Sequence, residues 1–282
     1  MEAEKEKLYH LYAAYVRTQA GIVYDEKNFF QLDSRIETLK KNLGFQTDAE
    51  LMQSLQPPVR KEVHMMMIDL ATNNETYFFR DPKVFEALEK AMFQRFDETL
   101  SKRPLSIWSL ACSSGQEACS LLMSFDRFRA ARGGKGDIRI EASDISRRIL
   151  ERARSGIYSH MEVQRGLPIT DLMKYFEPAP DSHWKIKAEY HRNVSFSEFN
   201  LLKDIYPIAK YDIVFCRNVL IYQGFDQRKK IVEQIAQSLN PGGFLVLGNS
   251  ENLLGVTDQL KPESNQGCVF YMKPANQLKN VA

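Results

Sequence analysis

Four apolar runs in the second part of the sequence end in polar or charged residues that could bind a ligand. The run "SLACSSGQEAC" carries Glu117, "EASD" ends at Asp144, "EFN" ends at Asn200, and "FCRN" ends at Arg217 and Asn218. In an open parallel sheet the ligand binds beyond the carboxyl ends of the strands, so these side chains are placed to meet it. None of these ends carries a histidine, which favours binding and placement of a ligand over proton transfer by a base.

The turn after the first of these runs has small side chains where a phosphate-binding loop has glycines. Cys112, Ser113 and Ser114 occupy those positions, and Gly115 is the one glycine. A loop that packs against pyrophosphate must bring backbone N–H groups close to the anion, which glycines permit. The sequence therefore disfavours a dinucleotide and admits an uncharged nucleoside. The glycine cluster "RGGKGD" at 132–137 precedes a strand, which predicts a surface loop.

Two stretches admit more than one interpretation on their pattern alone. Asp144 stands where doubly wound folds keep an acid that accepts both ribose hydroxyls, yet Asp144 or Ser146 could instead cap the next helix. The segment "NNETYFFRDP" at 73–82 is an unusual junction between domains. Its alternative interpretation is a helix cap with a hydrophobic staple, in which Arg80 is solvated or paired to an acid.

These residues must be positioned by alternating strands and helices, and the sequence alternates in this way from Ser106 onward. The strand candidates are "SIWSLAC", "DIRIEASD", "NVSFSEFN", "YDIVFCRN", "GGFLVLGNS" and "CVFYMK", with amphipathic stretches such as "SRRILERARSGIY" between most of them. This predicts an α/β fold with a mostly parallel, doubly wound sheet. Residues of about 160–192 break the alternation with a short helix, the turn "EPAPD" and "HWKIKAEYH", which predicts an inserted antiparallel hairpin.

The first part of the chain has a different pattern of apolar residues, which recur at helical spacing. The stretches "LGF" at 43–45 and "QPP" at 56–58 supply helix stops. The sequence therefore predicts an all-helical domain over residues 1–72, followed by a second domain over residues 73–282.

Composition narrows the class of protein. The chain has 282 residues, 44% of them hydrophobic, and its formal net charge of +2 gives no general reason to expect nucleic acid or membrane as a partner. No segment approaches the ~20 apolar residues of a membrane span, which favours a cytoplasmic protein. The cysteines are widely spaced among apolar neighbours, which predicts buried reduced thiols and no metal site. They are Cys112, Cys119, Cys216 and Cys268.

Several of these blocks, taken together, resemble the CheR family of S-adenosylmethionine-dependent methyltransferases, which esterify glutamates of bacterial chemoreceptors. The blocks occur in that family's order and are "NNETYFFRDP", "SLACSSGQEACSLL", "EASDISRRILERARSGIYS", "FNLL", "YDIVFCRNVLIY" and "LNPGGFLVLGNSENL". In the helical part, "GIVYDEKNFFQLDSRIETLKKNLGF" is similar to the family's N-terminal domain. The resemblance thus covers nearly the whole chain.

The resemblance implies a protein-glutamate O-methyltransferase that acts on the cytoplasmic domain of chemoreceptors. It implies S-adenosylmethionine as cofactor and S-adenosylhomocysteine as product. The implied cofactor-binding residues are Asn74, Thr76, Arg80, Glu117, Asp144, Asn200, Leu201, Arg217 and Asn218. Among them, Glu117 is expected at the amino-acid end of the cofactor and Asp144 at the ribose. Arg80 and Tyr222 are the implied catalytic residues, near the entering acceptor and the reacting methyl group.

Departures from the family pattern lead to further expectations. Gln116 stands where the family has the first of two acids, which implies a weaker hold on the cofactor. Many relatives carry a strongly basic helix in the helical domain, where this chain offers only Arg35, Lys40 and Lys41. Weak attraction to the usual receptor surface is therefore expected.

Two further expectations concern partner and activity. The short turn "EPAPDSH" in the inserted hairpin predicts no tether to a receptor tail peptide. An S-adenosylmethionine-binding adaptor that signals without turnover stays open as an alternative function. A methyltransferase for a small molecule or a nucleic acid is disfavoured, because the chain has the "CRNVLIY" block and lacks a basic aromatic patch.

Overall fold

Four α-helices form the first part of the chain in the computed structural model, which describes residues 2–275. They are α1 (Glu2–Ala20), α2 (Leu32–Leu43), α3 (Asp48–Ser54) and α4 (Lys61–Ala71), with a 3₁₀ turn at Glu26–Gln31 before α2. Leu8, Tyr12 and Val16 lie one turn apart on α1 and are fully buried in a hydrophobic cluster of this part of the chain. Both predicted stops are confirmed, since Gly44 ends α2 in the left-handed conformation and "QPP" follows α3.

The rest of the described chain contains ten strands and eight further α-helices. The strands are β1 (Leu105–Leu110), β2 (Ile138–Asp144), β3 (Ile157–Tyr158), β4 (Phe176–Ala179), β5 (His183–Ile186), β6 (Val194–Glu198), β7 (Tyr211–Cys216), β8 (Leu239–Val246), β9 (Lys261–Asn265) and β10 (Cys268–Met272). The helices are α5 (Pro82–Ala87), α6 (Asp97–Leu100), α7 (Gln116–Ala131), α8 (Arg147–Ser155), α9 (His160–Gln164), α10 (Ile169–Tyr175), α11 (Ala188–His191) and α12 (Phe225–Ser238). Between α5 and α6 lie a π-helical turn at Leu88–Met92 and a 3₁₀ turn at Phe93–Phe96, and Leu220–Tyr222 is a third 3₁₀ turn.

A seven-stranded sheet in the order β6-β2-β1-β7-β8-β10-β9 is the centre of this second part. The five strands from β6 to β8 run parallel, while β10 and β9 are antiparallel to their neighbours. The predicted mostly parallel α/β fold is confirmed. The chain order changes direction at β1, which has β2 on one side and β7 on the other. A crevice for a ligand is expected beyond the carboxyl ends of these three strands.

Two hydrophobic clusters cover the two faces of the sheet. Neighbouring residues of β1 point to opposite faces, so Ile107 belongs to one cluster and Trp108 to the other. The first cluster includes Leu121 of α7 and the second includes Ile235 of α12. Helices therefore pack on both faces, as the alternation of the sequence predicted.

The insertion is a small antiparallel sheet in the order β3-β5-β4, which confirms the predicted hairpin of β4 and β5 and adds an unpredicted strand. The helical pattern "SRRILERARSGIY" was expected to continue to Tyr158, but α8 ends at Ser155. Gly156 follows it with a φ of 61°, which ends the helix and turns the chain into β3. The sequence analysis also missed β9, "KPESN", because this polar strand at the sheet edge has no apolar alternation.

The remaining expectations on surface and cysteines are largely confirmed. The "RGGKGD" segment is an exposed loop before β2. Cys112, Cys119 and Cys216 are buried free thiols, but Cys268 is only half-buried, because it begins a strand next to the sheet edge. No cluster of potential metal ligands is present within the described residues. The division of the chain at residue 72 stays a prediction.

In residues 2–275, no helix is both long enough and apolar enough to span a membrane.

Candidate functional site

A cleft opens beyond the carboxyl ends of β1, β2 and β7. It encloses about 990 Å³ of space with its open mouth included, which is the size of cavities that hold a nucleoside-sized ligand. All ten residues that the resemblance implied line it: Asn74, Thr76, Arg80, Glu117, Asp144, Asn200, Leu201, Arg217, Asn218 and Tyr222. None of the residues that line the cleft, all within the described chain, is a histidine or a lysine. The cleft therefore lacks the usual side chains for a general base near neutral pH.

Backbone amides of the turn after β1 donate hydrogen bonds to other groups of the protein. Ala111 and Ser113 have φ angles of 53° and 51°, the left-handed conformation that a glycine would adopt without strain. The Ser113 amide donates to Asp144 Oδ2 at 2.9 Å, and the Gly115 amide donates to the Cys112 carbonyl at 3.1 Å. These N–H groups are not available to a phosphate, which supports the prediction against a dinucleotide.

Asp144 lies at the end of β2 and is only 6% exposed. Its carboxylate accepts hydrogen bonds from the amides of Ser113 and Ser146, at 2.9 and 3.0 Å. Burial raises the pKa of the Asp144 carboxyl above its ordinary value. The capping role belongs to Ser146, whose hydroxyl accepts from the Ile149 amide in the first turn of α8. Of the two interpretations, Asp144 is therefore the cleft residue and Ser146 the helix cap.

Arg217 is the buried cation of the site, with its side chain only 2% exposed. It donates to Glu117 Oε2 at 3.1 Å, to Asp81 Oδ2 at 2.5 Å and to the Arg80 carbonyl at 2.8 Å. Glu117 also accepts from the Ser109 hydroxyl at 2.7 Å. One cation thus balances two carboxylates and ties the junction segment to the sheet. The sequence analysis missed Asp81, whose part in the site depends on this pairing.

The segment 73–81 borders the cleft and ends in a turn with strained backbone. Phe79 and Asp81 have φ angles of 50° and 61°. The Phe79 amide donates to Ser120 Oγ at 2.9 Å, and Ser113 Oγ donates to the Asn74 carbonyl at 2.9 Å. Asp81 stands at the N-cap position of α5, but its side chain makes no capping bond and accepts from Arg217 instead. The helix-cap part of the alternative interpretation of this segment is therefore wrong, while its hydrophobic staple stays a prediction.

Arg80 differs from Arg217 in having few partners. It is half-buried, and its guanidinium donates to the Glu75 carbonyl at 3.0 Å and lies 5.6 Å from the ring centroid of Tyr77. In the described part of the chain it forms no ion pair with a carboxylate. Most of its donors are therefore free to bind a carboxylate in the cleft.

The loop after β7 carries Arg217, Asn218 and Tyr222 and is held by Glu251, which the sequence analysis missed. The Glu251 carboxylate accepts five backbone N–H bonds of 2.7–3.3 Å. The donors are the amides of Asn218, Val219, Leu220, Ile221 and Gly248. The available signal was an acid shortly after a strand end, in "GNSEN". Glu251 thus fixes the backbone that positions Tyr222.

The helical part of the chain forms one side of the cleft. Ala20 and Ile22 line it, and the Val23 amide donates to the Tyr222 carbonyl at 3.1 Å. The Tyr222 hydroxyl accepts from Asn73 Nδ2 at 2.9 Å. Tyr222 is therefore held from both parts of the chain.

Two further hydrogen bonds join the end of α1 to loops that border the cleft. Asn200 donates to the Gln19 carbonyl at 2.8 Å, and Gln223 donates to the Ala20 carbonyl at 3.1 Å. Gly21, with a φ of 73°, lies so close to Gln223 that an added Cβ would stand 2.0 Å from its Oε1. A glycine is required there, and no pattern in the sequence revealed this close approach.

Gln116 does not line the cleft. Its amide side chain is buried, accepts from Ser114 Oγ at 2.8 Å and faces Glu162. An acid at this position would lie beside a second carboxylate at the back of the turn. The neutral residue therefore removes no charge from the cleft wall, contrary to what the departure from the family pattern implied.

The cleft has the chemical character that a cationic nucleoside ligand requires. The buried Asp144 and the partly buried Glu117 present carboxylates at its inner wall. Two buried polar atoms in the lining, Arg217 Nε and Asn218 Oδ1, have no hydrogen-bond partner within the described chain. Burial also raises the pKa of the Cys112 thiol well above its usual range, which keeps it neutral beside the ligand. The fold and this site define a nucleoside-binding α/β protein of the kind that binds S-adenosylmethionine.

Comparison with known proteins identifies the family. Residues 74–268 match the family model described as CheR methyltransferase, SAM binding domain. The chain is 34% identical over 267 residues to chemotaxis protein methyltransferase 1 of Vibrio cholerae serotype O1, covering 94% of this chain and 96% of the relative. It is 35% identical over 268 residues to chemotaxis protein methyltransferase 1 of Pseudomonas aeruginosa, covering 94% and 97%. The chain belongs to the CheR methyltransferase family, and its cofactor is S-adenosylmethionine.

Similarity to solved structures is weaker. A putative S-adenosyl-L-methionine-dependent methyltransferase from Methanococcus maripaludis is 9% identical, with a TM-score of 0.40 over 74% of this chain and 100% of that one. The family assignment does not depend on this similarity.

Proposed function

We propose that this methyltransferase transfers the methyl group of S-adenosylmethionine to glutamate side chains of chemoreceptor proteins, giving methyl esters. The names of the relatives support chemotaxis as the setting. The observation that carries the choice of a carboxylate acceptor is Arg80, which forms no ion pair within the described chain, although the Glu75 carboxylate is near, and which lies at a cleft lined by no histidine or lysine. An amine or hydroxyl acceptor would have to lose a proton, whereas a glutamate is already ionised at neutral pH.

Methyl transfer to a carboxylate requires mainly that the protein align the methyl donor with the acceptor. When bound, S-adenosylmethionine supplies a methyl group on a positively charged sulfur. That methyl group would pass to an oxygen of the acceptor carboxylate, with the electron pair of the C–S bond left on sulfur. Charge is neutralised in this step, so alignment of the reactants and exclusion of water provide the rate.

Arg80 and Tyr222 orient the acceptor. The Arg80 guanidinium holds the acceptor carboxylate by charge-assisted hydrogen bonds, and the Tyr222 hydroxyl directs the attacking oxygen. Both side chains are half-buried at the cleft, where a glutamate on another protein can reach them. Glu251 and Val23 keep the Tyr222 loop in place.

The inner wall binds the cofactor. Asp144 accepts hydrogen bonds from the ribose hydroxyls, and Glu117 lies at the ammonium end. Arg217 and Asn218 contribute their unpartnered polar atoms, Arg217 Nε and Asn218 Oδ1. The remaining lining residues of the proposed cofactor site are Asn74, Thr76, Asn200, Leu201 and Arg80, the last of which also meets the acceptor.

The test is transfer of labelled methyl groups from S-adenosylmethionine to receptor cytoplasmic fragments from the same organism. We expect base-labile label on glutamates of the fragment. Cofactor binding without transfer would overturn the proposal and favour the signalling adaptor. Base-stable label would contradict the ester product.

Substitution of Arg80 tests the acceptor role in the same assay. We expect Arg80→Met to lower kcat by about 100-fold, because the acceptor carboxylate loses its orienting cation. Binding of S-adenosylhomocysteine, measured by calorimetry, is expected to weaken far less than kcat falls, because Arg80 is one of nine proposed cofactor-binding residues. An unchanged kcat in this variant would remove Arg80 from the mechanism.

A further inference from the structure

The basic residues of α2 are occupied inside the protein. Arg35 donates to the Tyr24 hydroxyl, and its guanidinium lies 5.1 Å from the centroid of that ring. Lys40 pairs with Glu37 at 2.9 Å and with Asp48 at 2.8 Å. Of the cations on this helix, Lys41 alone is exposed, so α2 offers little charge to an acidic partner.

A second group of cations lies on α12, directly after the Tyr222 loop. Arg228, Lys229 and Lys230 are consecutive, and both lysines are exposed. None of the three forms an ion pair within residues 2–275, although Asp226 and Glu233 are on the same helix. The Arg228 Nε atom is buried without a hydrogen-bond partner in that range. Asp226 and Glu233, which lie three or four residues from the lysines, offset part of this positive charge without pairing directly with it.

The three cations occupy the fourth to sixth residues of α12, just after its first turn. Together with the two acids on the same helix, Asp226 and Glu233, the three cations give this stretch a net charge of +1. A partner with an acidic surface would complement this excess of positive charge.

Exposed apolar side chains lie beside this charge. Ile221 and Phe225 are 48% and 52% exposed. Ile221 directly precedes Tyr222, and Phe225 is the first residue of α12. The Arg228 guanidinium lies 5.7 Å from the centroid of the Phe225 ring, which joins the apolar and charged parts. We call Ile221, Phe225, Arg228, Lys229 and Lys230 the α12 surface. It combines an apolar edge next to the cleft with a positive flank.

We propose that the α12 surface docks an acidic amphipathic helix of the substrate protein, the helix that carries the glutamate to be methylated. An amphipathic helix presents an apolar stripe flanked by charged residues, which complements this surface when the flank is acidic. The surface is continuous with Tyr222, so a helix docked on it brings a neighbouring glutamate to the cleft. This inference rests on the proposed function and assigns to α12 the attraction that α2 does not supply.

The experiment is a charge reversal with a matched control, assayed on the receptor fragment. Lys229→Glu combined with Lys230→Glu is expected to raise KM for the fragment about tenfold or more at low salt, with kcat at saturation and S-adenosylhomocysteine affinity retained. The difference from wild type should shrink at high salt, since the lost attraction is screened.

The control has the same change of net charge away from the cleft. Lys135→Glu combined with Lys261→Glu alters two exposed lysines: Lys135 lies in the loop before β2, and Lys261 begins the edge strand β9. We expect its KM to stay within about twofold of wild type. Lys41→Glu, on α2, is also expected to have a small effect because a single exposed charge contributes little.

The outcomes separate this inference from the proposed function. An unchanged KM in the α12 variant, or an equal rise in the control, would overturn the docking proposal while methylation of the receptor stands. A larger KM effect from Lys41→Glu would assign docking to α2. If the wild-type protein binds cofactor but methylates no receptor fragment, both proposals fail.

Discussion

The inner wall and the mouth of the cleft are built in different ways. At the inner wall, Asp144 and Arg217 are buried and Glu117 is largely buried, and each already has partners in the protein. At the mouth, Arg80 and Tyr222 are half-exposed, and each side chain has a single hydrogen bond within the described chain. The polar groups of the inner wall are already held by other protein groups, whereas those of the mouth have few partners. In our proposal the inner wall binds the cofactor and the mouth receives the acceptor.

This difference explains how one cleft can serve two reactants. Groups that bind the cofactor must hold their geometry through every turnover, and pairing to other protein groups provides that rigidity. Groups that receive a side chain of another protein must have unused donors. Substitutions in the two regions should therefore separate stability from turnover.

The largest effect is expected where the same substitution is made in both regions. Arg217→Met leaves Asp81 and Glu117 without their shared cation, and should lower the free energy of unfolding by about 3–5 kcal/mol. Arg80→Met breaks no ion pair, so its effect on stability should stay below about 1 kcal/mol. Denaturant unfolding of the two variants measures the difference. Equal destabilisation would show that the two regions do not differ as described.

How much of the fold and the cleft the sequence predicts depends on whether a feature is local. The order of strands and helices fixes which strand ends meet, so the polar residues at those ends can be assigned to one cleft from the sequence alone. The pairing of Arg217 with Asp81 and the close approach of Gly21 to Gln223 join residues far apart in the chain, and no spacing rule predicts them. The role of Glu251 could not be predicted because its partners are backbone amides, which every residue type except proline supplies.

The ambiguity at Asp144 also shows what three-dimensional geometry adds. The pattern "ASDIS" allows either Asp144 or Ser146 to cap α8, because both residue types are good caps. Only the geometry shows that Ser146 takes that role and leaves the Asp144 carboxylate at the cleft. The sequence therefore predicts that one of these two residues caps the helix and that Asp144 could bind a ligand. It does not predict which residue is the cap.

A smaller effect is expected from the protonation of Asp144. Burial raises its pKa above the ordinary carboxyl value of about 3.9, so the proton binds at a higher pH than in the unfolded chain. The ionised form accepts ribose hydroxyls in our proposal. Affinity for S-adenosylhomocysteine should therefore be full at pH 7 and fall as the pH is lowered through this raised pKa.

The control is Asp144→Asn, which cannot ionise. We expect it to bind S-adenosylhomocysteine about tenfold more weakly at pH 7, with an affinity that changes little as the pH is lowered toward 5. Calorimetric titrations at several pH values measure both proteins. Parallel pH profiles would mean that a group other than Asp144 controls binding. The same shift acts on folding in the opposite sense, because ionising a carboxyl with a raised pKa destabilises the folded state as the pH rises.

The smallest effect is expected from removing a single hydroxyl group at the mouth of the cleft. Tyr222→Phe removes a group bonded only to the exposed Asn73 amide, so stability should be unchanged. In our proposal that hydroxyl directs the attacking oxygen, so kcat should fall about three- to tenfold, equivalent to one modest hydrogen bond. Tyr24→Phe provides the comparison, since its hydroxyl donates to the Ala71 carbonyl and accepts from Arg35 away from the reacting atoms. It should lower stability and leave kcat unchanged, and the reverse pattern would place the function of the tyrosines in the helical part of the chain.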